Sequence, residues 1–351
     1  MKIYRRFRPE YTVATFDDMF PGAEKLHRIE PETIQTPEIL SFPLLWKAEH
    51  LRTATYTTPE DFTTTLHDVL YCPFNNVVTN EERQILAESV DTVDRIVRPP
   101  AYDGDIHTIS GYSTLLRAPA NAYYHTLIER MPRLLAIDRP PYSELEEIKL
   151  LLVGQITGLE EFYIDRLAPA NVRIVPLKKE AIYRTENLIF TPFKNPRFVG
   201  YLPEPYRSRY RSIVLPDRSS RRCHRIYISR EKQARRRIQN RDELMEALGA
   251  RGFVSVIPED LPLDEEIELF HDAEAIVGPH GSGFSNIFFS TSAKVIELYP
   301  TEFIVPHFYY MSKSLGHDYA FHCESGDDRF PEEYVVNVDG VLARLDSMGI
   351  S

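Results

Sequence analysis

The sequence predicts an α/β protein made of two domains. Its 351 residues exceed the length at which a single core usually stops growing, which is about 250–300 residues. The composition is that of a folded chain, with 43% hydrophobic, 26% charged and 11% aromatic residues. Apolar runs of strand length alternate with amphipathic stretches of helix length, most regularly in the C-terminal part. Successive β-α-β units imply a parallel sheet with right-handed crossovers.

The N-terminal half begins irregularly and then becomes ordered. We interpret residues 1–60, which are rich in Pro and Thr, as an irregular segment that wraps a domain. A helix is expected at 121–137, where Pro132 should kink or split it, and a short helix is expected at 81–90. The strands predicted in this half are 68–73, 76–79, 149–153, 171–176 and 187–191.

The C-terminal half has a cleaner pattern. Several prolines and many arginines at 192–220 mark the interdomain connection, so the predicted domains are 1–215 and 216–351. Asn240 should cap a helix, with Glu243 completing a capping box. The other predicted elements are strands at 225–229, 253–257, 275–277 and 295–299 and a helix at 263–271.

Charge and cysteine content exclude several classes of protein. The net charge of −11 argues against a nucleic-acid-binding surface. Twelve arginines nevertheless fall between residues 207 and 241, which indicates a local site for an anion. Cys72, Cys223 and Cys323 are odd in number and widely spaced, so we expect neither a disulfide framework nor a zinc site. Because the chain has no signal-peptide pattern and no apolar run of about 18 residues, we expect it to be cytoplasmic.

A glycine-rich loop, Gly278–Asn286 (GPHGSGFSN), lies between a short apolar strand and an apolar helix. Ligands of doubly wound sheets bind outside the carboxyl ends of the strands, and the N-terminus of the following helix favours a phosphate. Gly281 and Gly283 would let the backbone approach such a ligand closely. The alternative is a turn that only changes the direction of the chain. The side chains offered for hydrogen bonds to a phosphate, ribose or sugar are His280, Ser282 and Asn286.

A serine–arginine pair, Ser229–Arg230, ends the strand predicted at 225–229. A hydroxyl and a guanidinium in this place can hold a diphosphate without a metal ion, because the planar guanidinium matches phosphate oxygens in pairs. The alternative is a solvated basic loop, which is our interpretation for Arg236. The further candidates for binding the same anion are Arg235, Arg237 and Asn240.

A series of short motifs runs through the C-terminal half. They are Ser229-Arg230 after a strand, Arg237-Ile238-x-Asn240-x-x-Glu243-Leu244, Gly252-Phe253, Ala273-x-x-Ile276-Val277-Gly278-Pro279-His280-Gly281 and Val295-Ile296-Glu297. The series resembles glycosyltransferase family 61, which includes bacterial capsular polysaccharide biosynthesis proteins, eukaryotic O-linked N-acetylglucosaminyltransferases and xylan-decorating enzymes. The resemblance is dense over residues 222–300 and sparser over 68–89 and 121–135. The family usually has a small and then an apolar residue after its His-Gly, whereas Ser282 and Gly283 stand here.

The resemblance implies a GT-B fold, in which two Rossmann-like domains face each other across a cleft. The domain at 216–351 would bind a nucleotide-sugar, with a UDP-sugar as the favoured donor. The implied reaction inverts the anomeric centre, needs no metal or other cofactor, and glycosylates a saccharide or lipid-linked saccharide for the cell surface. The acceptor could bring the protein into peripheral contact with the inner membrane. Carried over by position, the donor-binding residues are Ser229, Arg230, Arg237 and Asn240 for the diphosphate, His280, Gly281 and Asn286 in the signature loop, and Glu297 for ribose hydroxyls.

His125 and Glu129 are spaced i and i+4 on the helix predicted at 121–137, so their side chains share one face. A carboxylate that is hydrogen-bonded to an imidazole raises the basicity of the imidazole and fixes its tautomer. Such a pair can take the proton of an acceptor hydroxyl. The alternative is a structural pair that anchors the helix. The family match at Asn121 and Arg130–Leu134 favours a catalytic pair, and which of the two residues is the base stays open.

Candidate metal ligands are few. Asp103-Gly104-Asp105 has the D-x-D form that holds manganese in other glycosyltransferases. It does not follow a buried strand, and Asp-Gly favours a turn, so we interpret it as a turn. We predict no metal site, because the histidines downstream of the signature loop have no Cys or carboxylate at ligand spacing; they are His307, His317 and His322.

Three other functions compete with glycosyl transfer. A non-catalytic nucleotide-sugar-binding protein would keep the C-terminal site and need no base at His125 or Glu129. An RNA-binding protein would use the arginine-rich stretch, but the acidic total charge and the absence of RNA-type aromatic motifs argue against it. A dinucleotide oxidoreductase is disfavoured because GPHGSG departs from the G-x-G-x-x-G spacing. The sequence carries no indication of the oligomeric state.

Overall fold

The computed structural model describes residues 11–45, 48–74, 76–89, 106–116, 122–192 and 199–351. These residues form two compact units, each assembled from two separate stretches of chain. The first unit contains residues 11–31 and 58–192 of the described chain, and the second contains 32–57 and 199–351. Both units combine strands with helices, which confirms the predicted α/β class. The predicted domain boundary at residue 215 stays a prediction.

Twenty strands and eight α-helices are found in the described residues. The strands are β1 (Thr12–Ala14), β2 (Leu26–Ile29), β3 (Thr33–Gln35), β4 (Leu44–Leu45), β5 (Thr55–Thr57), β6 (Asp61–Cys72), β7 (Val77–Thr79), β8 (Gln84–Leu86), β9 (His107–Leu115), β10 (Ile148–Val153), β11 (Val172–Leu177), β12 (Tyr183–Phe190), β13 (His224–Ile228), β14 (Arg237–Ile238), β15 (Phe253–Val256), β16 (Ala273–Pro279), β17 (Lys294–Tyr299), β18 (Phe303–Ile304), β19 (Asp318–Cys323) and β20 (Glu333–Tyr334). The α-helices are α1 (Phe16–Met19), α2 (Leu134–Ile137), α3 (Gly158–Leu167), α4 (Glu204–Val214), α5 (Arg241–Gly249), α6 (Leu263–His271), α7 (His307–Leu315) and α8 (Val338–Ser347). A π-helix spans His125–Arg130, and a 3₁₀ helix spans Ser282–Phe289.

One mixed sheet organises the first unit. Its strands follow the order β1-β8-β7-β6-β12-β9-β10-β11, and β2 also pairs with β6. The pairs β12–β9, β9–β10 and β10–β11 are parallel, whereas β12 and β6 are antiparallel. Because β10 (IKLLLV) has a parallel neighbour on each side and is buried along its centre, its sequence is an almost unbroken apolar run. The core of this sheet includes Phe16, Leu66, Tyr71, Leu151 and Leu188.

Most strands of the first unit agree with the sequence predictions. The strands predicted at 149–153 and 171–176 correspond to β10 and β11, and β6 and β12 extend beyond their predicted ranges. The helix predicted at 81–90 is wrong, because β8 lies there and pairs in parallel with β1. A distant partner strand overrides the local helical pattern. In its described part, the segment predicted as irregular contains five strands of two to four residues, of which β1 and β2 belong to the first unit.

A five-stranded parallel sheet forms the centre of the second unit. Its order is β15-β13-β16-β17-β19, and all four strand pairs are parallel. If these five strands are numbered by their order along the chain, their order in the sheet is 2-1-3-4-5. This is a doubly wound arrangement whose switch point lies between β13 and β16. Gly278 allows the two strands to come close, since a Cβ there would lie 2.9 Å from the carbonyl oxygen of Ile228. The helix predicted at 263–271 has the same bounds as α6.

Two apolar clusters stabilise the second unit. One packs the parallel sheet against α5 and α8 and includes Tyr227, Leu244 and Leu345. The other joins α7 to the segment 32–57 and includes Tyr56 and Tyr310. Helices α5 and α6 each lead from one strand of the sheet to the start of the next. Connections of this kind leave the carboxyl ends of the strands open to a ligand.

The stretch predicted as the interdomain connection, 192–220, contains α4 within the second unit. Tyr206 and Tyr210 on α4 are buried, and Arg211 donates a hydrogen bond to Thr291 at 2.8 Å and another to the carbonyl of Phe288. This stretch is therefore packed rather than extended. None of the helices in the described ranges is both long and apolar enough to cross a membrane.

Candidate functional site

The switch point of the parallel sheet is occupied by a guanidinium and a glycine. Ser229 and Arg230 follow β13 directly, and His280 and Gly281 follow β16. A Cβ on Gly281 would lie 2.0 Å from Nη1 of Arg230, so the missing side chain makes room for this guanidinium. Arg230 also donates from Nε to the carbonyl oxygen of Arg235 at 3.3 Å. Both pairs therefore lie at the carboxyl edge of the sheet, and their predicted role in binding a nucleotide-sugar stays a prediction.

Arg236 joins this group, although the sequence predicted a solvated side chain. Its φ of 60° lies in the left-handed region, and its backbone N–H donates to the carbonyl of Pro331 at 2.7 Å. The guanidinium lies 5.5 Å from the ring centre of Phe330. Together with His280 and Tyr299, it lines a small surface cavity. The turn before β14 thus directs Arg236 into the cavity rather than into solvent.

Arg230 and Arg236 are half-buried cations. Within the described residues neither of them forms an ion pair with a carboxylate. Burial, and then the neighbouring charge of Arg236, lower the pKa of Arg230 to about 10. Burial also lowers the pKa of Arg236. A partly desolvated charge without a counter-ion is unfavourable, so both guanidiniums favour an anionic ligand.

His280 is held by the two strands that follow it in the sheet. Its Nδ1 lies 2.5 Å from Oε1 of Glu297 on β17, and Oε2 of this carboxylate accepts a hydrogen bond from Tyr319 on β19 at 2.7 Å. The imidazole also stacks on Tyr299, with ring centres 5.0 Å apart and planes inclined by 16°. Burial lowers the pKa of His280, Glu297 opposes this shift, and the arginines at 236 and 230 add to it. The ring is therefore fixed in place and favours the neutral form.

Two of the candidates on the basic loop are engaged elsewhere. Arg237 forms an ion pair with Glu333, at 2.8 Å between Nη2 and Oε1. Asn240 precedes α5 as predicted, but its Oδ1 accepts from the backbone N–H of Val336 at 2.9 Å and its Nδ2 donates to the Val336 carbonyl and to Glu243. The predicted capping box is wrong, because the Asn240 side chain bonds across to this segment and makes no cap for α5.

The other predicted donor-binding residues have different surroundings. Ser229 is buried, and its hydroxyl donates to Glu231 at 3.1 Å. Asn286 is fully buried and donates to Glu266 of α6 at 2.5 Å, so it stabilises the packing of the 3₁₀ helix rather than lining the cavity. The remaining candidates are Arg235, which is exposed, and Ser282 and Gly283, which are half-buried at the start of the 3₁₀ helix.

The first unit places His125 and Glu129 in the π-helix His125–Arg130. The backbone N–H of Met131 donates to the carbonyl of Thr126, five residues earlier, and Pro132 follows with no N–H to continue an α-helical ladder. The predicted kink at Pro132 therefore takes the form of a π-helix followed by a 3₁₀ turn. Helical segments of this kind occur frequently at functional sites.

Glu129 is a fully buried carboxylate beside a partly exposed imidazole. Nδ1 of His125 lies 2.9 Å from Oε2 of Glu129, and the two side chains are 23% and 0% exposed. The geometry of the two groups does not meet the criteria for a hydrogen bond. Within the described part of the chain, neither carboxylate oxygen of Glu129 forms a hydrogen bond. Buried polar groups without hydrogen bonds are rare in native proteins and are common at reactive sites. His125 is the member of the pair that a ligand can reach.

One cluster of residues has the composition of a metal site but is already neutralised. Cys223, His224 and Asp272 bring their ligand atoms within 4.8 Å of one another. Both oxygens of Asp272 accept hydrogen bonds from Arg218 and Arg221, at 2.5–3.0 Å. A cation would lie beside two guanidiniums, so we assign no metal here. The predicted turn Asp103-Gly104-Asp105 lies outside the described residues.

Sequence reasoning missed Arg236 and Tyr319. Three consecutive arginines cannot be ranked from the sequence alone. Which of them faces the cavity depends on the pairing of β14 with β20, almost a hundred residues later. Tyr319 could not be placed beside Glu297 because β19 was not predicted. The run Tyr319-Ala320-Phe321 in β19, with two aromatic residues, was a usable signal for this strand.

Comparison with known proteins identifies the family. Residues 123–296, about half of the chain, match the family described as Glycosyltransferase 61. The match includes the π-helix of the first unit and both Arg230 and His280 of the second. A search of curated proteins gave no match. The chain therefore belongs to glycosyltransferase family 61 and is a glycosyltransferase.

Proposed function

We propose that this glycosyltransferase is an inverting enzyme that takes a sugar from a nucleotide-sugar, most simply a UDP-sugar, without a metal ion. The acceptor is a saccharide or a lipid-linked saccharide used for cell-surface polysaccharide. The observation that carries this proposal is the pair of half-buried guanidiniums of Arg230 and Arg236, which form no ion pair within the described residues. A GT-B-like arrangement and a cytoplasmic location, both expected from the sequence, stay parts of the proposal.

The two arginines supply the charge that a leaving diphosphate requires. A guanidinium presents several N–H donors in fixed geometry and matches phosphate oxygens bidentately. Arg230 lies at the switch point, beside Gly281, and Arg236 lies on the cavity wall. Positive charge already in place at the position where negative charge develops lowers the barrier without reorganisation. These side chains would therefore do the electrostatic work that a divalent ion does in enzymes with a D-x-D site.

His125 is the base in this proposal, and Glu129 supports it. The acceptor oxygen forms a bond to the anomeric carbon of the donor sugar from the face opposite the diphosphate. The bond from that carbon to the diphosphate oxygen breaks, its electron pair leaves with the diphosphate, and the acceptor proton goes to the imidazole. The buried Glu129 carboxylate, 2.9 Å from Nδ1, stabilises the imidazolium that results. Direct displacement at one face inverts the configuration.

A thermal-shift screen with UDP, GDP and CMP and their common sugar conjugates, each with EDTA and with manganese, tests the donor site. A ligand at 100 times its dissociation constant stabilises the folded state by about 2.7 kcal/mol. We expect stabilisation by a uridine nucleotide in EDTA. Arg230→Ala and Arg236→Ala should weaken binding about 10- to 100-fold, since each removes charge-assisted hydrogen bonds.

Arg237→Ala is the matched control for this screen, because Arg237 lies next to Arg236 but is paired with Glu333. It should bind nucleotides like the wild type. If no nucleotide stabilises the protein in EDTA, or if manganese is required, the metal-free site is refuted. Asp103 and Asp105 would then become the leading candidates for the donor site.

The role of the His125–Glu129 pair is tested by separating binding from turnover. His125→Ala and Glu129→Gln should lower kcat by about 100-fold or more while leaving nucleotide affinity unchanged, because general-base catalysis contributes about 10²–10⁴. Hydrolysis or transfer of the UDP-sugar identified by the screen gives kcat, and NMR of the anomeric proton of the product gives the stereochemistry. A retained configuration, or wild-type turnover in both variants, would refute this part of the mechanism.

A further inference from the structure

Glu297 lies fully buried behind His280. Its Oε1 is 2.5 Å from Nδ1 of His280, and its Oε2 accepts a hydrogen bond from Tyr319 at 2.7 Å. Both carboxylate oxygens are therefore engaged by side chains of the sheet, and the side chain has no exposed surface. A direct bond from Glu297 to a ribose, as expected from its position in the sequence, would require one of these bonds to break. The carboxylate can act on a ligand through His280 instead.

The second ring nitrogen of His280, Nε2, belongs to a side chain that lines the cavity. Nδ1 is engaged by Glu297, whereas Nε2 has no protein partner in the part of the chain that the structure describes. The ring stacks on Tyr299 on one face, and its centre lies 5.8 Å from the centre of the Phe308 ring. A carboxylate acceptor at Nδ1 favours the tautomer with its hydrogen on Nδ1. Nε2 then carries a free lone pair and accepts hydrogen bonds.

The charged groups around His280 support a neutral ring. They are Glu297 on β17 with Tyr319 behind it on β19, Arg230 after β13, and Arg236 on the loop before β14. Burial lowers the pKa of His280, and the two arginines act in the same direction against the carboxylate. A neutral imidazole whose Nδ1 donates to a carboxylate can only accept at Nε2. Such a nitrogen matches a hydroxyl or N–H group of a ligand and does not match a phosphate oxygen.

The position of His280 matches the place of a ribose. In a nucleoside diphosphate the ribose lies between the diphosphate and the base. His280 is adjacent in sequence to Gly281, whose missing side chain leaves room for the Arg230 guanidinium. The His280 ring lines the cavity with Tyr299 and Phe330. Aromatic walls of this kind suit a planar base. A nucleotide with its phosphates at Arg230 and its base against the outer side of these rings presents its ribose to His280.

We infer that His280 accepts a hydrogen bond from a ribose hydroxyl of the donor nucleotide, and that Glu297 and Tyr319 are positioning residues that hold the imidazole for this contact. The inference rests on the proposed function, in which the diphosphate binds at the two arginines. It transfers the ribose contact from Glu297 to His280. It also gives the chain of hydrogen-bonded side chains Tyr319, Glu297 and His280 a function in substrate recognition.

The test compares UDP with 2′,3′-dideoxy-UDP by titration calorimetry in the full-length protein, with ADP and GDP pairs in parallel. The wild type should bind the dideoxy compound about three- to tenfold more weakly than the ribose compound, the loss of one hydrogen bond. His280→Phe keeps an aromatic ring against Tyr299 but removes the acceptor, so it should bind both compounds equally. Because the readout is a ratio within each variant, a general loss of stability does not mimic the result.

Two milder substitutions test the positioning role. Tyr319→Phe and Glu297→Gln should reduce the ribose-to-dideoxy ratio while leaving the affinity for the dideoxy compound close to that of the wild type. Tyr309→Phe is the matched control, since it removes a tyrosine–glutamate hydrogen bond of 2.8 Å to Glu38 in the same unit. It should keep the wild-type ratio. In wild-type protein, ¹⁵N NMR of the imidazole should show the hydrogen of His280 on Nδ1.

Several outcomes would overturn the inference, and they are distinguishable from failure of the proposed function. Equal binding of UDP and its dideoxy analogue by the wild type, with both weakened by Arg230→Ala, would refute the ribose contact and leave the donor site standing. A ratio that persists in His280→Phe would assign the ribose to another residue. A hydrogen on Nε2 of His280, or a charged ring at pH 7.5, would remove the acceptor. If none of the ribose nucleotides binds, the proposed function fails and the inference fails with it.

Discussion

Replacing Gly281 with alanine should impair nucleotide binding and leave the fold intact. The new Cβ would lie 2.0 Å from Nη1 and 2.9 Å from Cζ of Arg230, whereas ordinary contacts begin near 3.4 Å. The guanidinium must therefore retreat by at least about 1.4 Å. The φ of Gly281 is 162°, which is extended backbone, so alanine brings no backbone strain. The displaced atoms are the tip of a long side chain, and their movement should cost less than about 0.5 kcal/mol of stability.

The expected loss of affinity follows from the geometry of hydrogen bonds. A donor displaced by this distance leaves the range of about 2.7–3.2 Å in which N–H···O bonds are strong. A hydrogen bond to a charged group contributes about 1.5–3 kcal/mol, so the dissociation constant for UDP should rise about 10- to 150-fold. Titration calorimetry measures this constant, and urea unfolding of the same preparation measures stability. Gly249→Ala is the control, because a Cβ at this position in α5 meets no atom within 4 Å.

Either of two results would refute this reasoning. Unchanged affinity for UDP in Gly281→Ala would mean that Arg230 does not bind the phosphates, or that it binds them from another position. A loss of several kcal/mol of stability would mean that Gly281 is required by the fold rather than by the ligand. Gly249→Ala should bind UDP like the wild type and be at least as stable, since alanine is favoured over glycine in a helix by about 0.5–1 kcal/mol.

Two further predictions concern buried carboxyl groups of the second unit. Burial raises the pKa of Glu266 from 4.5 to about 7, so the folded state loses stability as the pH rises from about 4.5 to about 7. Glu266→Gln should therefore stabilise the protein by on the order of 3 kcal/mol at pH 8 and much less at pH 5, as measured by urea unfolding; an equal gain at both pH values would contradict this. Hydrogen bonds from Arg218, and then from Arg221, hold the pKa of the buried Asp272 well below its usual range, so its contribution is present above about pH 4 and is lost as the pH falls further. Asp272→Asn should cost about 3 kcal/mol at neutral pH, and the difference from the wild type should shrink near pH 3; a difference independent of pH would show that packing rather than charge explains the loss.

The parallel sheet of the second unit could be predicted because its signals are local. The strands β13, β15 and β17 are short, mostly apolar runs, and α6 has apolar residues at helical spacing, so each element is recognisable within about ten residues. The carboxyl ends of parallel strands share one edge of the sheet. This rule places Arg230 near His280 before any coordinates are known. The positions of both residues in the structure agree with it.

Features that depend on distant partners could not be predicted. The segment Gln84–Leu86 is a strand only because β1 pairs with it, and the local sequence favoured a helix. Asn240 has the position and residue type of a helix cap, yet its side chain bonds to Val336, almost a hundred residues later. In both cases the local preference amounts to about 1 kcal/mol or less, and a long-range hydrogen-bonded contact outweighs it.

The arginine-rich stretch shows which physical property distinguishes a binding residue from its neighbours. Its sequence indicated an anion site, but residue type alone gives every arginine the same weight. In the structure Arg237 is neutralised by Glu333, and Arg218 and Arg221 by Asp272. Arg230 and Arg236 are half-buried at the carboxyl edge of the sheet without such a partner among the described residues. Arg211 is also half-buried without a carboxylate partner in the described ranges, but it donates to the Phe288 carbonyl and to Thr291. Desolvation without a counter-ion, combined with a position at the carboxyl edge of the sheet, therefore selects Arg230 and Arg236 as the residues that favour binding of a diphosphate.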